Sequence, residues 1–500
     1  YSSNITISGN ISGAGGIIKQ GNGSLTLSGA NTYNGTTTIN SGTVFVTSNT
    51  SLGSTAGGTT INGGKLVLNS SGLSTSENIT IDSTTSNGDI ALFANATISG
   101  LITLRNSNGD IRSLTGSPTL TLTGGVTTAA NRNLNFATSA IINTTPITIG
   151  TGTLGFQTGS NQLNVAGNTY GQLNLGWNGV LTLGVSNALA GTANVTFGGN
   201  NLTNNAFTLS LNGTNQTISG LAQDSTWAVT DGQNQNVTGG GVLTVNQTSN
   251  ATRSYGGRIT DGATATSLVK NGNGTLMLKN WSGINSSYSG ATTINAGTLM
   301  ILAGNGTSLS ANSSYTVASG AVLTLGGNST VAGPATANIG SLAGAGTVQN
   351  GNASTAITLT AGGNNATTTF SGVLQNGGAA ALALTKNGTG TFTLTGNNTY
   401  SGNTTVNAGT LGLDGRLSGN TAITIAGSGA LTQSSTGVIS GTSSFTHNSS
   451  GTSTLAGNNT YSGTTTVSAG TLTLSGANTG GGAVVIDSVL NIQGNLTFAG

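Results

Sequence analysis

Short segments in which apolar and hydroxyl-bearing residues alternate recur along the whole chain. In residues 21–46, Leu25 and Leu27 flank Thr26, and a second alternating segment follows at 43–46. A period of two is typical of β-strands that bury one face, so we expect the apolar side chains inside and the threonines outside. The segments are only a few residues long, and Gly, Asn and Ser separate them. The pattern therefore predicts many short strands joined by tight corners.

The alternating segments belong to a long internal repeat, whose strongest copies cover residues 21–46, 272–301, 388–413 and 449–474. Each copy carries one tyrosine at the same place, and these are Tyr33, Tyr288, Tyr400 and Tyr461. A single coil of this length cannot bury its inner face, whereas stacked coils share one continuous core. We therefore predict an all-β fold: one continuous β-solenoid over residues 1–500, wound as a right-handed parallel β-helix and shaped as an elongated rod.

Asparagine and glycine mark the corners of the repeat. The asparagines at one shared corner are Asn40, Asn295 and Asn407, and the glycines that follow are Gly42, Gly297, Gly409 and Gly470. Both residue types tolerate a positive φ and turn the chain at low cost. The asparagines have two interpretations: each closes its own turn, or they stack into hydrogen-bonded ladders between coils.

Composition narrows the class of protein. The chain has 84 glycines, no cysteine and 34% hydrophobic residues, with eleven Lys and Arg against nine Asp and Glu. The scattered basic residues argue against nucleic-acid binding, which needs clustered positive charge. Strong helix formers are scarce, and no apolar run is long enough for a membrane-spanning helix. We expect no direct membrane span and no cofactor.

The repeat resembles a known family. The segments GTGTFTLTGNNTYSGNTTVNAGTLGL, at 388–413, and GTSTLAGNNTYSGTTTVSAGTLTL, at 451–474, are similar to the autotransporter-associated β-strand repeat, also called the passenger-associated transport repeat. The resemblance implies an autotransporter passenger region, exported across the outer membrane of a Gram-negative cell through a translocation barrel, either in cis outside these residues or separate. We expect neither a signal peptide nor the family's C-terminal barrel within residues 1–500.

Parallel β-helices also include polysaccharide-cleaving enzymes, so candidate catalytic groups matter. The most suggestive carboxylate pair is Asp224 and Asp231, with Trp227 between them as a sugar platform; the alternative is two turn aspartates beside a structural tryptophan. A Ser-His-Asp triad would have to use His447, the single histidine. It occupies the position of three lysines in the repeat, which we expect to be a solvated corner: Lys19, Lys270 and Lys386. We predict no catalytic site.

A second pair of aspartates is a candidate metal site. The sequence Asn-Gly-Asp-Ile at 87–90 recurs at 108–111, which would place Asp89 and Asp110 one above the other if a coil takes 21 residues. Carboxylate oxygens suit hard cations, but two carboxylates are few for calcium. Two equivalent turns are the favoured interpretation, and the pair is only a weak metal candidate.

These observations lead to one main hypothesis and two alternatives. The main one is a non-catalytic structural or adhesive cell-surface protein, outer-membrane anchored or released, whose uniform polar face makes weak multivalent contacts with surface glycans or other copies of itself. The first alternative is a subunit of an extracellular filament or sheath, built by end-to-end stacking of unpaired strand edges. The second is a polysaccharide-active β-helix enzyme.

Overall fold

The computed structural model describes residues 3–83, 89–198, 206–223, 235–280, 286–303, 309–327 and 336–498. Within them the regular structure is entirely β, without a helix, and the parallel strands stack as a solenoid of about 20 turns. The predicted all-β solenoid is confirmed. The chain divides into two compact units, residues 1–228 with 233–243 and residues 229–232 with 244–500. Right-handed winding, a rod shape and a single continuous solenoid stay predictions.

The described strands of the first unit form two main parallel sheets. Its seven-stranded sheet contains Ile17–Lys19, Thr37–Ile39, Thr59–Ile61, Ile79–Ile81, Ile102–Leu104, Val126–Thr128 and Ile147–Thr148. Its larger sheet contains Ile5–Ile7, Ser24–Leu27, Thr43–Val46, Lys65–Leu68, Leu73–Thr75, Ile90–Leu92, Ala96–Ile98, Gly109–Ser113, Thr119–Leu122, Leu134–Ala137, Ser139–Ile142, Thr153–Leu163, Gln172–Leu183, Asn194–Phe197, Phe207–Ser210, Gly220–Gln223 and Asn236–Thr238. Gln216–Ile218 is a further strand, and Gly241–Asn246 contains the boundary between the units.

The second unit repeats this arrangement. Its largest sheet contains Thr266–Asn271, Thr292–Ile294, Ser314–Val317, Thr336–Asn338, Ser341–Gly344, Ile357–Ala361, Thr368–Phe370, Leu382–Lys386, Thr391–Leu394, Thr404–Leu413, Ala422–Gln433, Ser444–Leu455, Thr465–Leu474, Val484–Ile486 and Val489–Ile492. A six-stranded sheet contains Thr252–Tyr255, Thr275–Asn280, Thr298–Ala303, Val322–Leu325, Thr347–Asn350 and Val373–Asn376. Shorter strands are Asn397–Asn398, Arg416–Leu417, Val438–Ile439, Asn478–Gly481, Leu496–Phe498 and Arg258–Ile259.

Strand pairing places equivalent residues of successive coils directly over one another. In the first unit, for example, Ile39 pairs with Ile61 and Ile61 with Ile81, and all three are fully buried. The residue before each of them points outward. The core is therefore a set of stacked aliphatic rows, each contributing one side chain per coil.

Threonine has two locations, and the sequence predicted only one of them. Thr26 and Thr38 lie on the outer side of their strands, as expected. Thr37, Thr292 and Thr404 face inward and are completely buried, so the prediction that threonines face outward is wrong for this position. A buried hydroxyl needs a hydrogen-bond partner, and the tyrosine of the repeat supplies it.

Candidate functional site: the buried centre of the repeat

The lysine position of the repeat lies inside the solenoid. Lys270 and Lys386 are completely buried and Lys19 is 8% exposed, so the predicted solvated corner is wrong. Each ammonium group donates to three backbone carbonyls: two from the corner directly after the lysine and one from the corner of the next coil. These carbonyls belong to Gln20, Gly21 and Ser41 for Lys19, to Asn271, Gly272 and Ala296 for Lys270, and to Asn387, Gly388 and Ala408 for Lys386.

The lysines therefore hydrogen-bond two successive coils together. For Lys386 the distances from Nζ are 2.8 Å to Asn387 and Gly388 and 3.2 Å to Ala408. Burial lowers the pKa of Lys386, and it lowers the pKa of Lys270 to about 8. Three carbonyl acceptors match the three N–H donors of an ammonium group, so the buried group is fully hydrogen-bonded in both lysines.

His447 occupies the same interior position in the last strong copy. It is completely buried, and its Nε2 lies 3.2 Å from the carbonyl oxygen of Gly451. Its Nδ1 is buried and has no hydrogen-bond partner among the described residues. The hydroxyl of Ser449, two residues later, donates to the carbonyls of Gly429 (2.7 Å) and Gly427 (3.2 Å) in the preceding coil.

The glycine of the next corner closes this centre. Gly409 has a φ of 63°, and a Cβ added there would lie 2.5 Å from the carbonyl oxygen of Gly388 and 2.6 Å from that of Gly390. The equivalent glycines Gly42, Gly297 and Gly470 share the positive φ and the same close approach. Only glycine fits both conditions, because it lacks a Cβ and tolerates this backbone conformation.

The four aligned tyrosines form the second buried element of the repeat. Each is at most 1% exposed, and its hydroxyl bonds to the threonine four residues later. The oxygen–oxygen distances are 2.6 Å for Tyr33–Thr37 and Tyr288–Thr292, 2.7 Å for Tyr400–Thr404 and 2.8 Å for Tyr461–Thr465. In two copies the threonine continues to the next coil, where Thr292 meets Ser313 at 2.9 Å and Thr404 meets Thr421 at 3.1 Å.

In the first unit this polar column reaches a buried carboxyl that the sequence did not single out. Thr59 lies over Thr37 in the next coil, and its hydroxyl donates to Oε1 of Glu77 at 3.3 Å. Glu77 is 2% exposed, and burial raises its pKa to about 7 despite that hydrogen bond. Burial, together with the nearby Glu77, also raises the pKa of Tyr33.

The corner asparagines form side-chain ladders between coils. The amide Nδ2 of Asn295 donates to Oδ1 of Asn271 at 2.9 Å, and Asn407 donates to Asn387 at 2.9 Å. Asn40 is the acceptor in its own pair, from Asn62 at 2.8 Å. These pairs are exposed, and each joins asparagines of two successive coils, as in the ladder interpretation.

Asp89 and Asp110 also lie in adjacent coils, because Ile90 pairs with Ile111. Oδ2 of Asp89 accepts the backbone N–H of Asp110 at 3.2 Å, and Asp110 pairs with Arg112 at 2.6 Å. Burial raises the pKa of Asp89 to about 6. Within the described residues no group of three or more His, Cys, Asp or Glu could hold a metal ion, so the pair lacks further such ligands.

The proposed carboxylate pair falls in a part of the sequence that the structure does not describe. Asp224, Asp231 and Trp227 all fall outside the described residues, so their arrangement stays a prediction. His447, the only base available for a triad, is buried among backbone carbonyls and aliphatic side chains.

The outer surface carries rows of threonine, one per coil. In the first unit the row is Thr38, Thr60, Thr80, Thr103, Thr127 and Thr148, and in the second it is Thr360, Thr385, Thr405, Thr424, Thr446 and Thr466. All are half-buried. The Thr148 hydroxyl donates to the carbonyl of Val126 at 3.3 Å. The other row hydroxyls have no hydrogen-bond partner in the described part of the chain, so they are available to a ligand or to water.

The repeat matches the model of a known protein family. The profile of the passenger-associated-transport-repeat matches residues 17–44, 268–301, 384–413, 445–474 and 469–488. The chain carries passenger-associated transport repeats. The first four matches each begin two residues before the buried lysine or histidine, and they overlap the four copies found in the sequence. The fifth copy was missed.

These repeats are consistent with an autotransporter passenger domain, and they imply an exported cell-surface protein. No curated protein matches the chain. No solved structure matches it either. Among the described residues there is no helix of sufficient length and hydropathy to span a membrane.

Proposed function

We propose that the chain is a non-catalytic, exported cell-surface protein, in which the solenoid serves as a shaft and its threonine rows as a weakly adhesive face. The observation that supports this most directly is the set of five passenger-associated transport repeats. Their shared tyrosines and the shared lysine or histidine position are buried between coils, where they hold the shaft together and are closed to a substrate. The outward surface supplies what a large, weakly binding face needs, since in-register hydroxyls recur once per coil.

The proposal places the chain outside a Gram-negative cell, delivered through a translocation barrel in cis. Immunogold electron microscopy of intact producing cells tests the location. We expect gold at the outer surface, and gold only in sectioned cells would refute the proposal. Gold along extended fibres would instead favour the filament alternative, and cleavage of a polysaccharide by the purified chain would favour the enzyme alternative.

Adhesion is tested separately, by attachment of cells that display the chain to glycan-coated surfaces. The variant Thr405→Val, Thr424→Val, Thr446→Val removes three neighbouring row hydroxyls and keeps the β-branched shape. The matched control replaces the same threonines with serine and keeps the hydroxyls. We expect the valine variant to attach several-fold less than the serine control. Equal attachment at equal surface display would refute the adhesive role of this row.

A further inference from the structure

His447 differs from its three counterparts in what it can do with a proton. The lysines hold a charged group whose three N–H donors all meet carbonyl oxygens. A histidine in the same place has two ring nitrogens, of which only Nε2 has a partner. Protonation at this position therefore adds an N–H donor at Nδ1 for which the buried site offers no acceptor.

Within the part of the chain that the structure describes, the surroundings of the ring provide no compensating charge. In its row His447 lies between Ile425 of the preceding coil and Val467 of the following coil. Gly470, in the following corner, is so close that an added Cβ would lie 3.1 Å from Nε2. Burial lowers the pKa of His447, the bond to Gly451 opposes this, and no titratable side chain contributes.

The coil contact at this position is also weaker than in the lysine copies. Lys386 reaches the carbonyl of Ala408 in its next coil, whereas the described hydrogen bond of His447 stays within its own strand. The pairing of Ser444–Leu455 with Thr465–Leu474 shifts register directly after His447. The junction therefore lacks one hydrogen bond to the next coil, has an irregular strand pairing and contains an imidazole, the side chain whose ordinary pKa lies closest to neutral pH.

We propose that His447 makes the junction between Ser444–Leu455 and Thr465–Leu474 an acid-sensitive joint, which loosens on protonation while the lysine-bearing junctions stay closed. This goes beyond the role of a passive shaft and does not depend on it. The folded state disfavours the protonated ring, so stability at the joint is lost as the pH falls below 6.5, the ordinary value for histidine, towards the lowered folded-state pKa. The pKa of Lys270, lowered to about 8, lies above this range, so that lysine adds no such dependence.

Hydrogen exchange of the full chain, followed by mass spectrometry between pH 7.5 and pH 5, tests the joint. Protection factors must be corrected for the intrinsic pH dependence of exchange. In the wild type we expect protection of 444–455 and 465–474 to fall several-fold on acidification, and protection of 382–394 and 404–413 to stay constant. Constant protection at the histidine junction, or protection that rises in acid, would overturn the proposal.

Three substitutions assign the effect to the histidine. His447→Lys should abolish the acid response, and Lys386→His should create one at the junction of 382–386 with 404–413. His447→Leu fits the aliphatic row and serves if the lysine variant fails to fold. An acid response that persists in the leucine variant would show that another group is responsible, and would overturn the proposal.

Discussion

The two compact units build the same kind of coil and both bury a lysine of the repeat, but among the described residues only the first also buries carboxyls. The first unit carries one repeat match and buries two carboxyls, Glu77 and Asp89, whose pKa values are raised. The second carries four matches and buries bases, among them Lys270, Lys386 and His447, whose pKa values are lowered. In both, burial is the main cause. The comparison teaches that the solenoid interior accepts ionisable side chains of either kind, each of which hydrogen-bonds to the backbone or to a neighbouring hydroxyl through at least one atom.

The largest expected effect concerns what the units share, the buried tyrosine. Tyr33→Ala in the first unit and Tyr400→Ala in the second should each lower local stability by about 3–5 kcal/mol, because a large cavity opens beside a fully buried threonine. Tyr→Phe at the same positions removes only the hydroxyl and should cost about 1 kcal/mol. Hydrogen exchange of the flanking strands measures both. A loss of stability in only one of the two units would contradict the conclusion that both depend on the buried tyrosine in the same way.

The second prediction concerns the corner glycine. Gly409→Ala should cost about 2–4 kcal/mol, because it adds backbone strain at positive φ to a clash with two carbonyl oxygens. Gly320 is the matched control, since its φ is 80° but an added Cβ would meet no atom within 4 Å. Gly320→Ala should cost only about 1–2 kcal/mol. Equal costs in urea unfolding would mean that the close approach is unimportant.

The third prediction concerns how the stability of the first unit depends on pH. The folded-state pKa of Glu77 is raised from 4.5 to about 7, so its contribution to the stability of the first unit is present below pH 4.5 and is lost as the pH rises through 7. The expected loss is about 1–3 kcal/mol at the strands Thr59–Ile61 and Ile79–Ile81. Glu77→Gln should remove it. The strand Thr391–Leu394 of the second unit serves as the internal control, and hydrogen exchange at pH 5 and pH 8 is the measurement. The same loss in the glutamine variant would contradict this assignment.

The smallest effect belongs to the exposed ladder. Asn407→Ala removes one amide bond to Asn387 at the solvent-exposed corner and should cost no more than about 0.5–1 kcal/mol. Asn40→Ala is the equivalent change in the first unit. Thermal unfolding compares the two. A loss as large as that of Tyr400→Ala would show that the ladders, and not the buried centre, hold the coils together.

Much of the fold was predictable because the repeat is explicit in the sequence. Alternation predicted the strands, and the equivalence of the tyrosines predicted stacked coils. The same alternation also contained the signal for the buried lysines and Glu77. Lys386 follows Leu382 and Leu384 at a spacing of two, and Glu77 continues the inward series of Leu73 and Thr75. That signal was overridden by the general rule that charged side chains are exposed.

What alternation could not provide is the reason why these charges are tolerated. Each lysine is satisfied by carbonyls from two coils, and one of them lies 20 or more residues further along the chain. Such contacts depend on the register between coils, which a single sequence does not state. The corner asparagines illustrate the same point, since their ladder bonds also join residues 20 to 24 positions apart.

Cysteine accessibility on intact producing cells tests the central claim most directly, because the chain contains no cysteine of its own. Thr424→Cys places a thiol in the outward row, and Val406→Cys places one in the buried row of the adjacent coil. We predict that a membrane-impermeant maleimide labels Thr424→Cys on intact cells and labels Val406→Cys only after denaturation. Labelling of Thr424→Cys only after the cells are broken would contradict export to the surface. Equal labelling of both variants on intact cells would contradict the solenoid itself.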